Sequence, residues 1–145
     1  MASILGSSVN GITINITDAA DLAKAVRIRG LTINGAGSGL QGVKVIASSK
    51  VVIENTVIDG FTDGIGVAAV GTAQVFIKST VIRNNSGAGI SVAAAGNQVA
   101  LSDVAVVFNG NGLVTAASGT IVSFRNNIIY GNKKAGEPTS SLAQR

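Results

Sequence analysis

The chain has 145 residues with neither cysteine nor histidine, and 46% of its residues are apolar but only 12% are charged. The apolar content excludes a disordered chain, and the two missing residue types exclude disulfides, thiolate and histidine metal sites and a Ser-His-Asp triad. The net charge of +4 comes from scattered bases, without the basic stripe and interleaved aromatics of a nucleic-acid binder. No apolar run reaches the roughly 18 residues of a membrane span. We therefore expect no cofactor, no nucleic acid and no membrane as partners.

Two predicted strands and one irregular stretch make up the N-terminal part of the chain. After a short lead-in at 1–9, residues 10–15 and 26–34 alternate apolar and polar side chains, as strands do. Between them, residues 16–25 form either a loop or one or two helical turns with Thr17 or Asp18 as the N-cap. The glycine-rich run at 35–39 is interpreted as a corner rather than a phosphate loop, because neither a helix nor Gly-Lys-Ser/Thr follows it.

The rest of the chain is a repeat. The segment VVIENTVIDG at 51–60 returns as VFIKSTVIRN at 75–84, as VALSDVAVVF at 99–108 and, shifted by one residue, as IVSFRNNIIY at 121–130. Equivalent aliphatic side chains recur at a nearly constant spacing, and each unit holds three short strands and three corners. This pattern predicts an all-β fold, a single right-handed parallel β-helix of about five coils over residues 1–132.

The repeat also predicts columns of inward side chains, with neighbours in a column about 4.8 Å apart. The first column is Val26, Val51, Val75, Val99 and Val122. The second is Ile28, Ile53, Ile77, Leu101 and Phe124. The third is Ile33, Ile58, Ile82, Val106 and Ile129. The fourth is Ile12, Val43, Ile65, Ile90 and Leu113.

A further column is small and polar, and it falls at the bend between the second and third strands of each coil. Its members are Gly30, Asn55, Ser79, Asp103 and Asn126. We predict that these side chains bond backbone groups freed by the bend, which makes Asp103 a structural residue rather than a catalytic acid.

Residues 133–145 are predicted to be a polar C-terminal tail. They contain the only proline and show no strand pattern. The tail either frays or folds over the last coil as a cap, and only Leu142 is a suitable apolar plug.

The stacked columns, the bend asparagine and the coil length resemble the right-handed parallel β-helix superfamily of pectate lyases and related carbohydrate-active proteins. The segments IRGLTINGAG at 28–37, ENTVI at 54–58 and GAGI at 87–90 are similar to those of small bacterial right-handed parallel β-helix repeat proteins of unassigned function. The resemblance covers residues 10–132. It implies the solenoid fold and, since such relatives are often longer and exported, a shortened version of such a protein. It leaves the localisation open and implies no single activity, because the same solenoid hosts unrelated functions.

The resemblance to pectate lyases implies a search for a calcium-binding acidic cluster and a basic catalytic residue. By register, Asp59 lies one coil from Arg83, and Glu54 lies one coil from Lys78. Each acid therefore faces a base, which we interpret as two cross-strand ion pairs on the outer face, each stabilising the fold by at most about 1 kcal/mol. Asp63 could join Asp59, but two carboxylates make a poor calcium site.

Glycoside hydrolysis is disfavoured as well. Asp59 and Asp63 could have the required spacing, but the chain has no tryptophan and a single tyrosine to stack on a sugar ring. We therefore assign no catalytic residue and no metal ligand. The candidate ligand-binding residues are Glu54, Asp59, Asp63, Lys78 and Arg83.

The outer faces are unusually apolar for surfaces in contact with solvent, and such patches mark interfaces. The candidate interface residues are Val52, Val57, Phe76, Val81, Ala105 and Ile128. A β-helix also leaves strand edges at its ends, and neither terminus offers a convincing cap. The favoured hypothesis is a non-enzymatic structural or interaction module that forms homo-oligomers through these faces or through uncapped ends. The alternative is a carbohydrate-binding or polysaccharide-lyase-like remnant that uses a polar outer face.

Overall fold

The computed structural model describes residues 2–143, and the regular structure in that range consists of thirteen strands in one continuous sheet. All strand pairs are parallel, and the sheet winds as a solenoid of about four turns. The predicted all-β parallel β-helix is therefore confirmed, with a turn count close to the five coils expected. The strands are β1 (Ala2–Leu5), β2 (Ile12–Asn15), β3 (Ala25–Arg29), β4 (Leu31–Ala47), β5 (Lys50–Glu54), β6 (Val57–Val67), β7 (Gln74–Arg83), β8 (Ala88–Val92), β9 (Gln98–Val107), β10 (Asn111–Thr115), β11 (Thr120–Ser123), β12 (Ile128–Tyr130) and β13 (Ser140–Ser141).

Three faces run along the solenoid axis, and several long strands bend from one face into the next. The opening face contains β2, the ends of β4 and β6, β8 and β10. The second face contains β3, β5, the starts of β7 and β9, β11 and β13. The third face contains β1, the starts of β4 and β6, the ends of β7 and β9, and β12.

The aliphatic columns form the core as predicted, with one correction in the last coil. The third and fourth columns stack in full. The first two columns are wrong at their last members, because Ile121 stacks on Val99 and Ser123 on Leu101. In this coil the corner before the second strand is one residue shorter than in the coil above, and the following bend is one residue longer. Phe124, predicted to be in the core, therefore lies outside, with its ring edge-on to Phe76 at 6.4 Å.

The bend column is small and polar for a reason other than the predicted one. Its members have left-handed backbone angles, φ +48° at Asn55 and +56° at Asp103, which glycine, asparagine and aspartate tolerate best. In the last coil Arg125, not Asn126, takes this conformation because of the register shift. Side chains at the next position bond the backbone instead. The Thr56 hydroxyl, for example, donates to the carbonyl of Glu54 at 2.9 Å.

Residues 16–24 are a loop and Ala25 begins β3, which agrees with the irregular alternative and excludes the helical one. The carboxylate of Asp18 accepts the N–H of Ala20, and that of Asp21 accepts the N–H groups of Ala23 and Lys24. These local bonds give the backbone an alternative to a helix.

The polar tail covers the C-terminal end of the solenoid on the opening and second faces. The carbonyls of Lys134 and Ala135 accept the N–H groups of Gly112 and Leu113, and β13 pairs with β11. The cap is therefore made by backbone pairing. Leu142 remains 53% exposed, so it is not the apolar plug that the sequence suggested. Residues 144 and 145 lie outside the described range.

A column of glycines, at positions where a side chain would point into the core, makes the solenoid narrow at the start of the opening face. Its members are Gly11, Gly42, Gly64, Gly89 and Gly112. A Cβ on Gly64 would collide with Ile82 and would lie 2.6 Å from the carbonyl oxygen of Gly89. The aliphatic side chains of the third column can pack directly against the glycine backbone only because the glycines have no side chain.

We predict that Gly64→Ala lowers the free energy of unfolding by about 2–3 kcal/mol, as overpacking of a dense core does. Gly71→Ala is the matched control. Nothing lies within 4 Å of the Cβ it would add, so only its left-handed φ of +87° costs stability, by about 1–2 kcal/mol. Urea denaturation followed by circular dichroism measures both, and a smaller loss for Gly64→Ala than for Gly71→Ala would contradict the steric explanation.

Candidate functional site

The predicted pair of Asp59 and Arg83 is present on the third face. Arg83 Nε donates to Asp59 Oδ2 at 3.0 Å, and Asn84 Nδ2 donates to Asp59 Oδ1 at 3.0 Å. Both carboxylate oxygens of Asp59 therefore have partners. The arrangement is a cross-coil ion pair, as the register predicted.

Glu54 and Lys78 are in register as predicted, but the ion pair of Glu54 is with Arg27, in the preceding coil. Arg27 reaches it diagonally, since Glu54 is in register with Arg29. The hydrogen bond from Arg27 is the main reason that the pKa of Glu54 is lowered. The charges of Arg27, Arg29 and Lys78 add to this effect, and partial desolvation opposes it. The register alone does not predict this pair, because Arg27 lies in the coil above and is in register with Val52.

Asp63 braces a corner rather than joining Asp59. Its Oδ1 accepts the N–H of Ala88 at 2.8 Å, and its Oδ2 accepts a long 3.5 Å bond from Gln41 Nε2. Within residues 2–143 no group of three or more acidic or other metal-ligating side chains could hold a metal ion. The five predicted residues therefore have three separate structural environments, and the structure does not bring them together as one pocket.

A buried asparagine ladder crosses the third corner of successive coils, and the sequence reading missed it. Asn85 and Asn109 are each 2% exposed. The Oδ1 of Asn109 accepts both the N–H and the Nδ2 of Asn85, and Asn132 does the same for Asn109. The spare side-chain donors reach carbonyls in the coil above, that of Ile82 from Asn109 and that of Val106 from Asn132. The recurrence of an asparagine once per coil, at the start of the third corner, was the available signal.

Phe61 ends this ladder on the N-terminal side. Its N–H donates to Asn85 Oδ1 at 2.9 Å, but its own side chain offers no acceptor to the coil above. The ring is buried instead, at 1% exposure. It lies among glycines whose missing side chains make room for it, namely Gly6, Gly11, Gly35, Gly39 and Gly42.

A polar groove lies away from all five predicted ligand-binding residues. It has a volume of about 500 Å³ and follows the corner between the opening and second faces. Its lining is mostly amide and hydroxyl groups, from Ser49, Lys50, Thr72, Gln74, Gly96, Asn97, Gln98, Ser118 and Thr120. Such a groove can donate and accept hydrogen bonds, but it contains no carboxylate for acid–base chemistry.

The predicted apolar interface residues lie on the outside, but most are partly covered. Val52, Val57, Phe76, Val81 and Ala105 are half-buried, and only Ile128, at 61%, is strongly exposed. Other large apolar side chains are more exposed at the N-terminal end of the solenoid. There Leu5 is 71%, Val9 55% and Leu40 53% exposed.

The sequence profile described as "right handed beta helix region" matches residues 2–140, nearly the whole chain. The chain belongs to this right-handed β-helix family. Searches among curated proteins and among solved structures found no match to this β-helix. Among residues 2–143 there is no helix long and apolar enough to cross a membrane.

The lowered pKa of Glu54 predicts a pH-dependent contribution to stability. The Arg27–Glu54 pair contributes fully above the pKa that Glu54 has in the unfolded chain, and its contribution is lost as the pH falls through the lower folded pKa. Glu54→Gln should therefore be less stable than wild type near neutral pH, and this difference should shrink in acid. Urea denaturation of both proteins across the acidic range measures it. A difference independent of pH would show that the carboxylate charge is not responsible.

Proposed function

We propose that this β-helix is a non-enzymatic structural module that self-associates end to end through its N-terminal coil. The observation that carries the proposal is the difference between the two ends. The tail pairs with β10 and β11 in the last coil, so that among the described residues β12 and the two-residue β13 are the strands left with an open edge there. At the other end, all three strands of the first coil, β1, β2 and β3, pair with a neighbour on one side only.

The open edges have backbone groups ready to pair. In a parallel ladder, alternate residues of an edge strand turn their N–H and C=O groups away from the neighbouring strand. The N–H of Gly6 donates to the carbonyl of Asn34 in β4. Two residues earlier, Ile4 therefore also directs its backbone N–H and C=O toward β4, and the backbone groups of Ser3 and Leu5 point to the open end. Such an edge is a template for pairing with another chain.

Apolar side chains beside this edge favour burial by a partner. Leu5 is the most exposed of the three at the corner, and Leu40 donates its N–H to the carbonyl of Val9, which holds these two residues together. Ile4 and Ile12 are only partly covered, although they pack on the core. A second copy of the end would remove these groups from water.

The arrangement that fits best is a twofold dimer joined by the two N-terminal ends. A head-to-tail filament would need an open edge on all three faces of the C-terminal end, where the tail covers β10 and β11, whereas a twofold interface uses the same open end twice. Arg27 and Arg29 make β3 a poor strand to lie opposite its own copy. We place β1 on the axis, because Ala2–Leu5 carries no charged side chain.

A second candidate function is carbohydrate binding, and the polar groove of about 500 Å³ favours it. Its amide and hydroxyl lining suits a sugar. The surface first considered for this role, from Glu54 to Arg83, is occupied by ion pairs and corner bonds instead.

Ser3→Pro tests the end-to-end dimer. We predict that it raises the dimer dissociation constant at least tenfold, because proline removes an N–H at the open edge and none from the ladder below. Light scattering during size-exclusion chromatography over a range of concentrations measures the mass, and thermal unfolding at high dilution checks that the fold is intact.

Three comparisons make the result specific. Ser3→Ala should dimerise like wild type, and Leu5→Lys should weaken the dimer as Ser3→Pro does. Val81→Lys, on the lateral face, should have no effect. A wild-type protein that is monomeric at all concentrations would contradict the proposal, as would a dimer that Val81→Lys dissociates and Ser3→Pro does not.

A further inference from the structure

Stacking brings together bases that are far apart in the sequence. Arg27 and Arg29 on β3, Lys50 on β5 and Lys78 on β7 all lie on the outer side of the second face, and all four are exposed. Adjacent strands are about 4.8 Å apart, so Arg29 and Lys78 lie about 10 Å apart along the axis on either side of Glu54. Scattered bases were the reason to expect no nucleic-acid partner, and the fold removes that objection.

The charge of this surface is strongly one-sided. Glu54 is the carboxylate within it, and Arg27 already holds it. Arg29 and Lys78 are in register with Glu54 from the two neighbouring coils. At the bend below Ser79, Asp103 accepts a hydrogen bond from the Ser79 hydroxyl at 2.8 Å. In the adjoining loop, Asp18 and Asp21 accept backbone N–H groups. Asp103, Asp18 and Asp21 keep their charge but lie at the bend and in the loop, so on β3, β5 and β7 themselves four bases face Glu54 alone and leave a net positive field.

An aromatic and amide surface continues from these bases down the same face. Phe76 lies in the row of Arg27 and Val52, and Phe124 contacts it edge-on. The neighbouring row begins with Lys50 and continues with Gln74 and Gln98, which are both exposed. A groove of about 300 Å³ joins Lys50, Gln74, Gln98 and Phe76, and its floor consists of the aliphatic side chains between them.

We infer that the outer side of the second face binds single-stranded nucleic acid. Phosphates would contact Arg29, Lys78 and Lys50, and a base would lie against Phe76 with the amides of Gln74 and Gln98 at its edge. Cations that follow the backbone, together with an aromatic on which a base stacks, are the usual combination in single-strand binders. A sheet face without a projecting helix or ribbon cannot enter the major groove of a duplex, so the unpaired form fits best. A sulfated polysaccharide would use the cations and would depend less on the ring, because a sugar has no aromatic face to stack on it.

Fluorescence anisotropy with labelled 15-nucleotide dT and U oligonucleotides tests this inference at several salt concentrations. We expect both to bind at 25 mM NaCl, with log K falling against log[salt] with a slope of about −2, as three neutralised phosphates give. Lys78→Ala should weaken binding and reduce the slope by about 0.7. Phe76→Leu should weaken binding about fivefold or more at constant slope, because it removes the ring and keeps an apolar side chain.

Lys134→Ala is the matched control, since it removes the same charge from the tail. It should bind like wild type, and thermal unfolding should show that every variant is folded. Absence of binding at 25 mM NaCl would overturn the inference, as would an equal loss from Lys134→Ala and Lys78→Ala. Heparin binding as tight as that of the oligonucleotides, with no effect of Phe76→Leu, would also overturn it and assign a general polyanion surface. A difference between the dT and U oligonucleotides alone would identify which polymer the face prefers and would support the inference.

Discussion

The packing of a buried asparagine ladder against a column of glycines sets the cross-section of this solenoid. A Cβ on Gly64 would lie 3.0 Å from Asn85 Nδ2, and Gly89 and Gly112 have the same relation to Asn109 and Asn132. The amides bond one coil to the next, and the bare glycines let the aliphatic third column close over them. Because a buried amide without a partner costs about 1–3 kcal/mol, a slipped register would be penalised at every coil.

The same constraint explains why the two ends differ. Each step of the ladder needs an asparagine in the coil below to accept hydrogen bonds. In the second coil Phe61 stands at the asparagine position, and its ring packs among glycines where the amide would be. Above Phe61 the third corner is filled by apolar packing in place of the amide ladder, and the paired strands stop at open edges. Below Asn132 the stack continues into the tail, which supplies backbone partners but few apolar side chains. The N-terminal end therefore has three unpaired strand edges beside exposed Leu5 and Leu40, whereas at the other end the tail pairs with β10 and β11.

Much of the fold followed from the repeat, because a period of about 24 residues with three short strands has few solutions. The aliphatic columns were right wherever the corners kept a constant length. They failed at Val122 and Phe124, since compensating changes of one residue in a corner and a bend leave the overall spacing almost unchanged. The predicted Asp59–Arg83 pair followed from register, but the partner of Glu54 did not, because a long arginine side chain reaches across registers.

Two features of the candidate sites depend on side-chain direction, which the sequence pattern shows poorly. Asparagines in a glycine-rich corner have the composition of any turn, and only the stacked structure shows that Asn85 and Asn109 point inward. Likewise, Arg29, Lys50 and Lys78 are far apart in the sequence but occupy neighbouring strands. A calculation of charge along the chain cannot detect a surface that exists only after stacking.

Amide hydrogen exchange in the native state tests the role of the third corner most directly. The backbone N–H groups of Asn85 and Asn109 donate to side-chain carbonyls of the next coil, at 3.1 and 2.8 Å, inside the core. If this ladder holds the stack together, these two amides exchange only when the whole solenoid unfolds, so their exchange free energy equals the global free energy of unfolding. Exchange at a clearly lower free energy, comparable to that of the first coil, would show that the corner opens by itself and would contradict the account.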